Sequence, residues 1–173
     1  PSGARIITVG NLTKQKNHDL LLRSFAKLDI SEARLMFVGD GELRETIIHR
    51  AQELGISDQI IMAGFQSDTI PFYKTANLFV LSSDYEGLPL VIIEALACGT
   101  PVVSTDCHSG PAEILVNGQY GRLVPVEDVN ALSQAIKMEI QNQTHNISLI
   151  KRAEEFSPKI IASKYLNLLG EKI

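Results

Sequence analysis

With 173 residues, 45% of them hydrophobic and 21% charged, the chain has material for one domain with a sizeable core, and its profile is globular rather than disordered. A net charge of −4 leaves no basic footprint for nucleic acid or an anionic membrane. No apolar run approaches the ~20 residues of a membrane span. Two cysteines, Cys98 and Cys107, make neither a disulfide framework nor a zinc spacing, so a reducing, cytoplasmic setting without a signal peptide is expected. Pro1-Ser2-Gly3 leads straight into RIITVG, as a linker would feed a strand in a longer chain.

Taken in order, short β-branched runs alternate with segments of helical period. Arg5–Gly10 is expected as a strand, followed by a helix near Asn17–Leu28 with Leu21, Leu22 and Phe25 inward. Arg34–Gly39 is the second strand, and the helix from about Leu43 to Leu54 stops at Gly55. Gln59–Gly64 is the third strand, then a short helix near Thr69–Lys74. Leu78–Ser83 is the fourth, with its helix from Pro89 to Cys98. Pro101–Ser104 and Gly121–Val124 are two further strands, with a short helix from Pro111 between them. Helices are expected last at about Val126–Gln141, Asn146–Phe156 and Pro158–Leu169.

Strands apolar on both faces and alternating with helices imply a doubly wound, Rossmann-like α/β domain of about six parallel strands, covered by helices on both faces. Ligands of such sheets sit beyond the carboxyl ends of the strands, where strand order reverses. In the Rossmann order that crevice lies beside strands one and four, which run here into Gly10–Asn17 and Ser82–Pro89.

Those two loops carry candidate chemistry. No Walker sequence is present, and Gly39-Asp40-Gly41-Glu42 begins like a dinucleotide fingerprint but has arginine at position 44. Lys14 and Lys16 precede a helix and could meet a phosphate, or be ordinary solvated residues. Pro89 suits the first helical position, which would leave the amides of Leu90 and Val91 free at the positive end of the helix. Glu94 is the sole polar residue of Leu88–Cys98, and Leu90, Val91, Ala97 and Cys98 share its face. A carboxylate in that apolar setting needs partners: a ribose diol, or a lysine or backbone amides within the protein. Glu86, in the loop before it, could complement the helix dipole. With Glu94 it could also form a glycosidase pair, but the lysines and the helix terminus would then have no task. The four histidines (His18, His49, His108, His145) show no ligand spacing. His18 and His108 are near strand exits; His49 and His145 are expected on helix surfaces. Gly110-Pro111-Ala112-Glu113 opens a helix with Glu113 at its third position.

In the order VGNLTKQKNHDLLLRSF, FVGDGELR, AGF, LSSDYEGLPLVIIEALACGTPVVSTD, SGPAEIL and GRLVPVEDVNALSQAI, the chain resembles the C-terminal, donor-binding domain of the group 1 retaining glycosyltransferases, which have the two-domain GT-B architecture. Glu86 and Glu94 match that family's E-x7-E motif. The resemblance covers nearly the whole chain, so residues 1–173 are expected to form one nucleotide-sugar-binding domain. It implies that Lys16 binds the donor diphosphate, Glu94 the ribose hydroxyls, and Glu86 the transferred sugar or the nearby phosphate. Gly10, Asn11, Gly87, Leu88, Leu90 and Val91 would surround the phosphates; Gly39, Asp40, Gly64 and Phe65 would border the base. Glu86 and Lys16 are thus the candidate catalytic residues. The donor would be a UDP- or GDP-type nucleotide-diphospho-sugar, with no obligatory metal and no other cofactor.

The family commonly has arginine where Asn11 stands, so stabilisation of the departing diphosphate would lean on Lys16, the helix terminus or Lys14. The acceptor site belongs to an N-terminal domain with no counterpart here. The chain alone is therefore expected to transfer no sugar, and the apolar side of its last helix, around Ile160–Leu169, to be partly exposed. Surface polysaccharide or glycolipid synthesis is the common family setting. Membrane contact would come only through the missing domain or a lipid-linked acceptor, peripherally at the inner face. A sugar-nucleotide epimerase half-domain and a non-catalytic α/β interaction module are the alternatives.

Overall fold

The strands form where β-branched and aromatic residues run together, and they assemble as the alternation requires. In the computed structural model, which describes residues 3–142, 147–168 and 170, the strands are β1 (Arg5–Val9), β2 (Arg34–Val38), β3 (Ile60–Gly64), β4 (Leu78–Leu81), β5 (Val102–Thr105) and β6 (Arg122–Val124). They make one six-stranded sheet in the order β3-β2-β1-β4-β5-β6, parallel throughout. β1 lies between β2 and β4, so the order reverses between β1 and β4, as the Rossmann pattern requires.

Successive residues of each strand enter opposite layers. Ile6, Leu35, Phe37, Leu78, Val80 and Val103 pack under α1 (His18–Ala26), α2 (Arg44–Glu53) and α6 (Val129–Asn142), meeting Leu21, Phe25, Ile47, Leu132 and Ile136. Ile7, Val9, Phe79, Leu81 and Val102 pack on the other side, against α3 (Ile70–Thr75), α4 (Leu90–Ala97), α5 (Pro111–Ile114) and α7 (Ile147–Glu154). A sheet apolar on both faces is thereby buried on both. No residue of α8 (Pro158–Leu168) is buried, and Ile160, Tyr165 and Leu168 are exposed on it, so the apolar side of this helix is open as expected. No described helix is long and apolar enough to cross a membrane. The expected helix limits at Asn146 and Leu169, as well as Pro1, Ser2 and His145, lie outside the described residues.

Element limits differ from expectation mainly at polar ends. The fourth strand stops at Leu81, where the serine hydroxyls bond to loops: Ser82 Oγ donates to the Lys16 carbonyl of the first loop at 2.8 Å, and Ser83 Oγ to Glu86 Oε1 of its own loop at 2.7 Å. Pro89 is not the first helical residue. With ψ at 89° it is the cap, and Leu90 begins α4. The ring fixes φ but not ψ, and the extended ψ lets the loop descend onto the helix from outside.

The strand exits are stitched into one platform. Gly10 N donates to the Val38 carbonyl at 3.0 Å, Leu12 N to that of Asp40 at 3.0 Å, and Gly39 N to that of Gly64 at 2.8 Å. Gly39 has φ 139°, and a Cβ there would lie 2.0 Å from the Gly10 carbonyl oxygen. Only glycine allows the β1 and β2 exits to come this close. Gly39→Ala is expected to cost at least about 2 kcal/mol, read as a lowered urea midpoint. An unchanged midpoint would mean the two loops separate freely.

Candidate functional site

The β1 exit is shaped by a short 3-10 turn, Lys14–Lys16, that ends at Asn17 in the left-handed region (φ 42°, ψ 54°). Asparagine tolerates that conformation, and its side chain caps α1 by accepting from Leu20 N at 3.1 Å. The other end of the same amide donates to Asp84 Oδ1 at 2.6 Å, while Asp84 N donates to the Gln15 carbonyl at 2.9 Å. The turn therefore docks against the β4 exit through both backbone and side chains.

That docking brings Lys16 to Glu86. Lys16 Nζ lies 2.6 Å from Glu86 Oε1, with the two side chains only 16% and 8% exposed. Ser83 Oγ donates to the same carboxylate oxygen, and Gln15 Nε2 reaches Oε2 at 3.4 Å and the Tyr85 carbonyl at 2.8 Å. Charges withdrawn this far from water need compensation, and each has it in the other. The stem of Lys16 crosses Gly10, where a Cβ would meet its Cε at 3.5 Å.

Beyond Glu86, the β5 exit supports the loop. Ser109 Oγ donates to the Glu86 carbonyl at 2.9 Å. A Cβ on Gly110 would lie 2.5 Å from both the Gly87 carbonyl oxygen and Pro89 Cδ, so the two loops are in direct backbone contact. Glu113 is the third residue of α5, as expected. The amides of Leu90 and Val91 make no hydrogen bond to an acceptor among the described residues. Two donors at the positive end of a helix thus remain free beside the Lys16–Glu86 pair in the chain, the arrangement an anion uses.

Residues 2–156 match the model of the glycosyl transferases group 1 family. The chain belongs to that family.

Among curated relatives of this group 1 chain is the lipopolysaccharide core biosynthesis glycosyltransferase LpsE of Rhizobium meliloti (strain 1021), 34% identical over 172 residues, which cover 96% of this chain and 50% of LpsE. The chain thus spans half the length of that relative. Among solved structures, the lipopolysaccharide outer core galactosyltransferase WaaB in its apo form aligns with TM-score 0.88 and 26% identity, covering 99% of this chain and 50% of WaaB. Anabaena HepE in complex with UDP aligns with TM-score 0.86 and 20% identity over 98% of this chain and 49% of HepE; at that identity the match shows the fold.

The second carboxylate of this group 1 domain is set differently from expectation. Glu94 is exposed rather than enclosed. The buried stripe of α4 is Ile92, Ala95 and Leu96, and Leu90, 60% exposed, shares the outward face with Glu94. Of the apolar residues on its own face, Leu90 and Ala97 are exposed and Val91 and Cys98 half-buried, so they do not enclose it. Its protein partner is neither a lysine nor a backbone amide: the phenol of Tyr73, on α3, donates to Oε2 at 3.0 Å.

The remaining candidates divide. Gly39, Asp40, Gly64 and Phe65 stand at the β2 and β3 ends, where Asp40 Oδ1 accepts from Gly41 N at 2.8 Å and Phe65 is exposed. Asn11 is exposed at the start of the first loop, and Leu88 is exposed above α4. Lys14 lines a cavity of about 470 Å³ between α1 and α2, whose lining includes Asp84 and His18 but neither Lys16 nor Glu86. His108 is exposed and pairs by backbone with Tyr85. Gln15, Ser83 and Tyr73 were not anticipated. Ser83, three residues before Glu86, carried a weak local signal; Gln15 and Tyr73 meet their carboxylates only through the fold.

His18, near the β1 exit, is buried, its ring edge-on to Phe37 at 5.3 Å between centroids. Neither ring nitrogen has a hydrogen-bond partner of normal geometry among the described residues. Burial, with a smaller push from the Lys16 charge, lowers its pKa from 6.5 to about 4, and the Asn11 backbone pulls the other way without offsetting burial. The unfolded chain therefore takes up this proton near pH 6.5 and the folded chain only near 4. Between those values the unfolded state binds more protons, so this contribution is complete above pH 6.5 and is lost as pH falls toward 4, by up to roughly 3 kcal/mol. His18→Leu should flatten that loss. Urea unfolding of both proteins at pH 7.5 and 4.5 measures it, and equal losses would show the imidazole reaches water.

Proposed function

We propose that this chain is the donor-binding half of a retaining glycosyltransferase that takes a UDP- or GDP-type nucleotide-diphospho-sugar. The observation that carries this reading is the joining of Lys16 and Glu86 at the sheet's switch point, beside the free amides of Leu90 and Val91. A lysine and a helix terminus suit a diphosphate, whose charge grows as the bond to the sugar breaks. Lys16 and the two amides would hold that leaving group, with Gly10, Asn11, Gly87 and Leu88 around it. Glu86, oriented by Lys16, Ser83 and Gln15, would face the transferred sugar. Glu94 would accept from the ribose hydroxyls, and Gly39, Asp40, Gly64 and Phe65 would border the base. The UDP complex of a protein with this fold supports a nucleotide in this crevice.

Because Lys16 and the helix terminus supply positive charge, the transfer needs no obligatory metal in this reading. The acceptor would sit on an N-terminal domain of the full-length protein, for which the open apolar side of α8 is a fitting contact. Membership of the family, and similarity to a lipopolysaccharide core enzyme, support a saccharide or lipid-linked acceptor in surface polysaccharide or glycolipid synthesis. The enzyme would work in the cytoplasm, peripherally at the membrane's inner face.

In the full-length protein, a thermal-shift series with UDP, GDP and ADP should give stabilisation by at least one of them, undiminished by EDTA. Silence with all three would favour a non-catalytic interaction module. Lys16→Ala should abolish binding detectable by calorimetry, and an unchanged affinity would remove Lys16 from the diphosphate. Asn11→Arg adds a second cation where the first loop begins and should tighten the complex several-fold; weakening would show that position 11 faces elsewhere.

A further inference from the structure

Tyr73 is the largest side chain in the protein to be fully buried, and the proposed donor contacts give it no role. It is fixed on every side. Its ring packs edge-on against Phe79 of β4 at 5.6 Å between centroids, and its backbone carbonyl accepts from the buried Thr100 Oγ1 at 2.9 Å. The phenol is the one polar group of this buried side chain, and its hydrogen bond runs to Glu94 Oε2 at 3.0 Å. Burial and the adjoining Glu94 carboxylate both raise the phenol pKa, so it remains a donor at any physiological pH.

Glu94 has the opposite character. It is exposed, on a helix face with no other polar side chain, and its Oε1 has no partner among the described residues. An exposed glutamate ordinarily samples many rotamers, and a ligand must restrict them at an entropic cost. Here one oxygen is tethered to a buried phenol, which leaves the other without a protein partner among the described residues. The tether also ties α3, which follows the β3 exit, to α4, whose first turn carries the free amides.

We propose that Tyr73 is a positioning residue, whose buried phenol holds the Glu94 carboxylate in the orientation that accepts a ribose diol. This rests on the reading of Glu94 as the ribose contact. Tyr73 touches no donor atom; it sets the geometry of a residue that does.

The experiment uses the full-length protein and whichever of UDP, GDP and ADP binds, together with the 2′,3′-dideoxy form of the same nucleotide. Tyr73→Phe keeps the ring and removes only the hydroxyl. It should weaken the ribonucleotide about fivefold, the scale of one oriented hydrogen bond, and leave the dideoxynucleotide unchanged. Glu94→Gln should weaken the ribonucleotide at least as much, again sparing the dideoxynucleotide. In the double variant, Tyr73→Phe should add nothing further, because its effect passes through Glu94. If Glu94→Gln discriminates between the two nucleotides and Tyr73→Phe does not, the tyrosine is only core and the proposal fails while the ribose reading stands. Equal weakening of both nucleotides by Tyr73→Phe would mean a general disturbance of α3 and α4, and also overturns it. If Glu94→Gln itself fails to discriminate, or no nucleotide binds, the ribose reading falls and takes the proposal with it.

Discussion

A lysine ammonium and a glutamate carboxylate, 2.6 Å apart and largely withdrawn from water, join the loops that leave β1 and β4. Much of the surrounding architecture serves that meeting. β1 and β4 are neighbours because the strand order reverses between them, so two loops some seventy residues apart in sequence emerge side by side. Asn17 takes a left-handed conformation that ends the lysine-bearing turn and starts α1 in one step. Ser83 leaves the sheet to bond the carboxylate, and Gly110 lets the β5 exit press against the loop beyond it. Two charges at this depth are tolerated only as a pair with supporting hydrogen bonds, so these contacts act as one unit.

The second half of the crevice is built by a helix turned against ordinary amphipathic logic. α4 buries Ile92, Ala95 and Leu96, yet Leu90 is mostly exposed beside Glu94. Phe65, Ile70, Tyr85 and Leu88 are also exposed, in the loops and the helix start that follow β3 and β4. Because all strands are parallel, those exits fall at one edge of the sheet. Exposed apolar side chains thus share that edge with the Lys16–Glu86 pair and the free amides of α4. Glu94 is kept in place there by a tyrosine from the core rather than by its own burial.

The fold was largely legible in the sequence because each of its signals is local. RLMFV and LFVL are apolar at every position or nearly so, and RIITV carries apolar residues on both faces, which marks strands covered on both sides; glycines and helical periods punctuate them. That the first and fourth loops meet was legible for the same reason: their polar residues stand out against apolar strands, and Lys16 does reach Glu86. Gln15 and Tyr73 were not legible. Gln15 is one of several polar loop residues, and Tyr73 lies 21 positions from its carboxylate in an unremarkable short helix. Nothing in their spacing distinguishes them from a solvated glutamine or a core aromatic.

The sheet, its switch point and the two loops that leave it there therefore follow from the sequence alone, since hydrophobic period and turn residues act over a few positions. Only the tertiary structure decided which side chains pair. It placed Glu86 with Lys16, Ser83 and Gln15, turned Glu94 out to the surface under the hold of Tyr73, and buried His18 in its neutral form. Those outcomes depend on the rotation of α4 about its axis and on the contact between distant loops, and both are set by packing across the sheet rather than by neighbours along the chain.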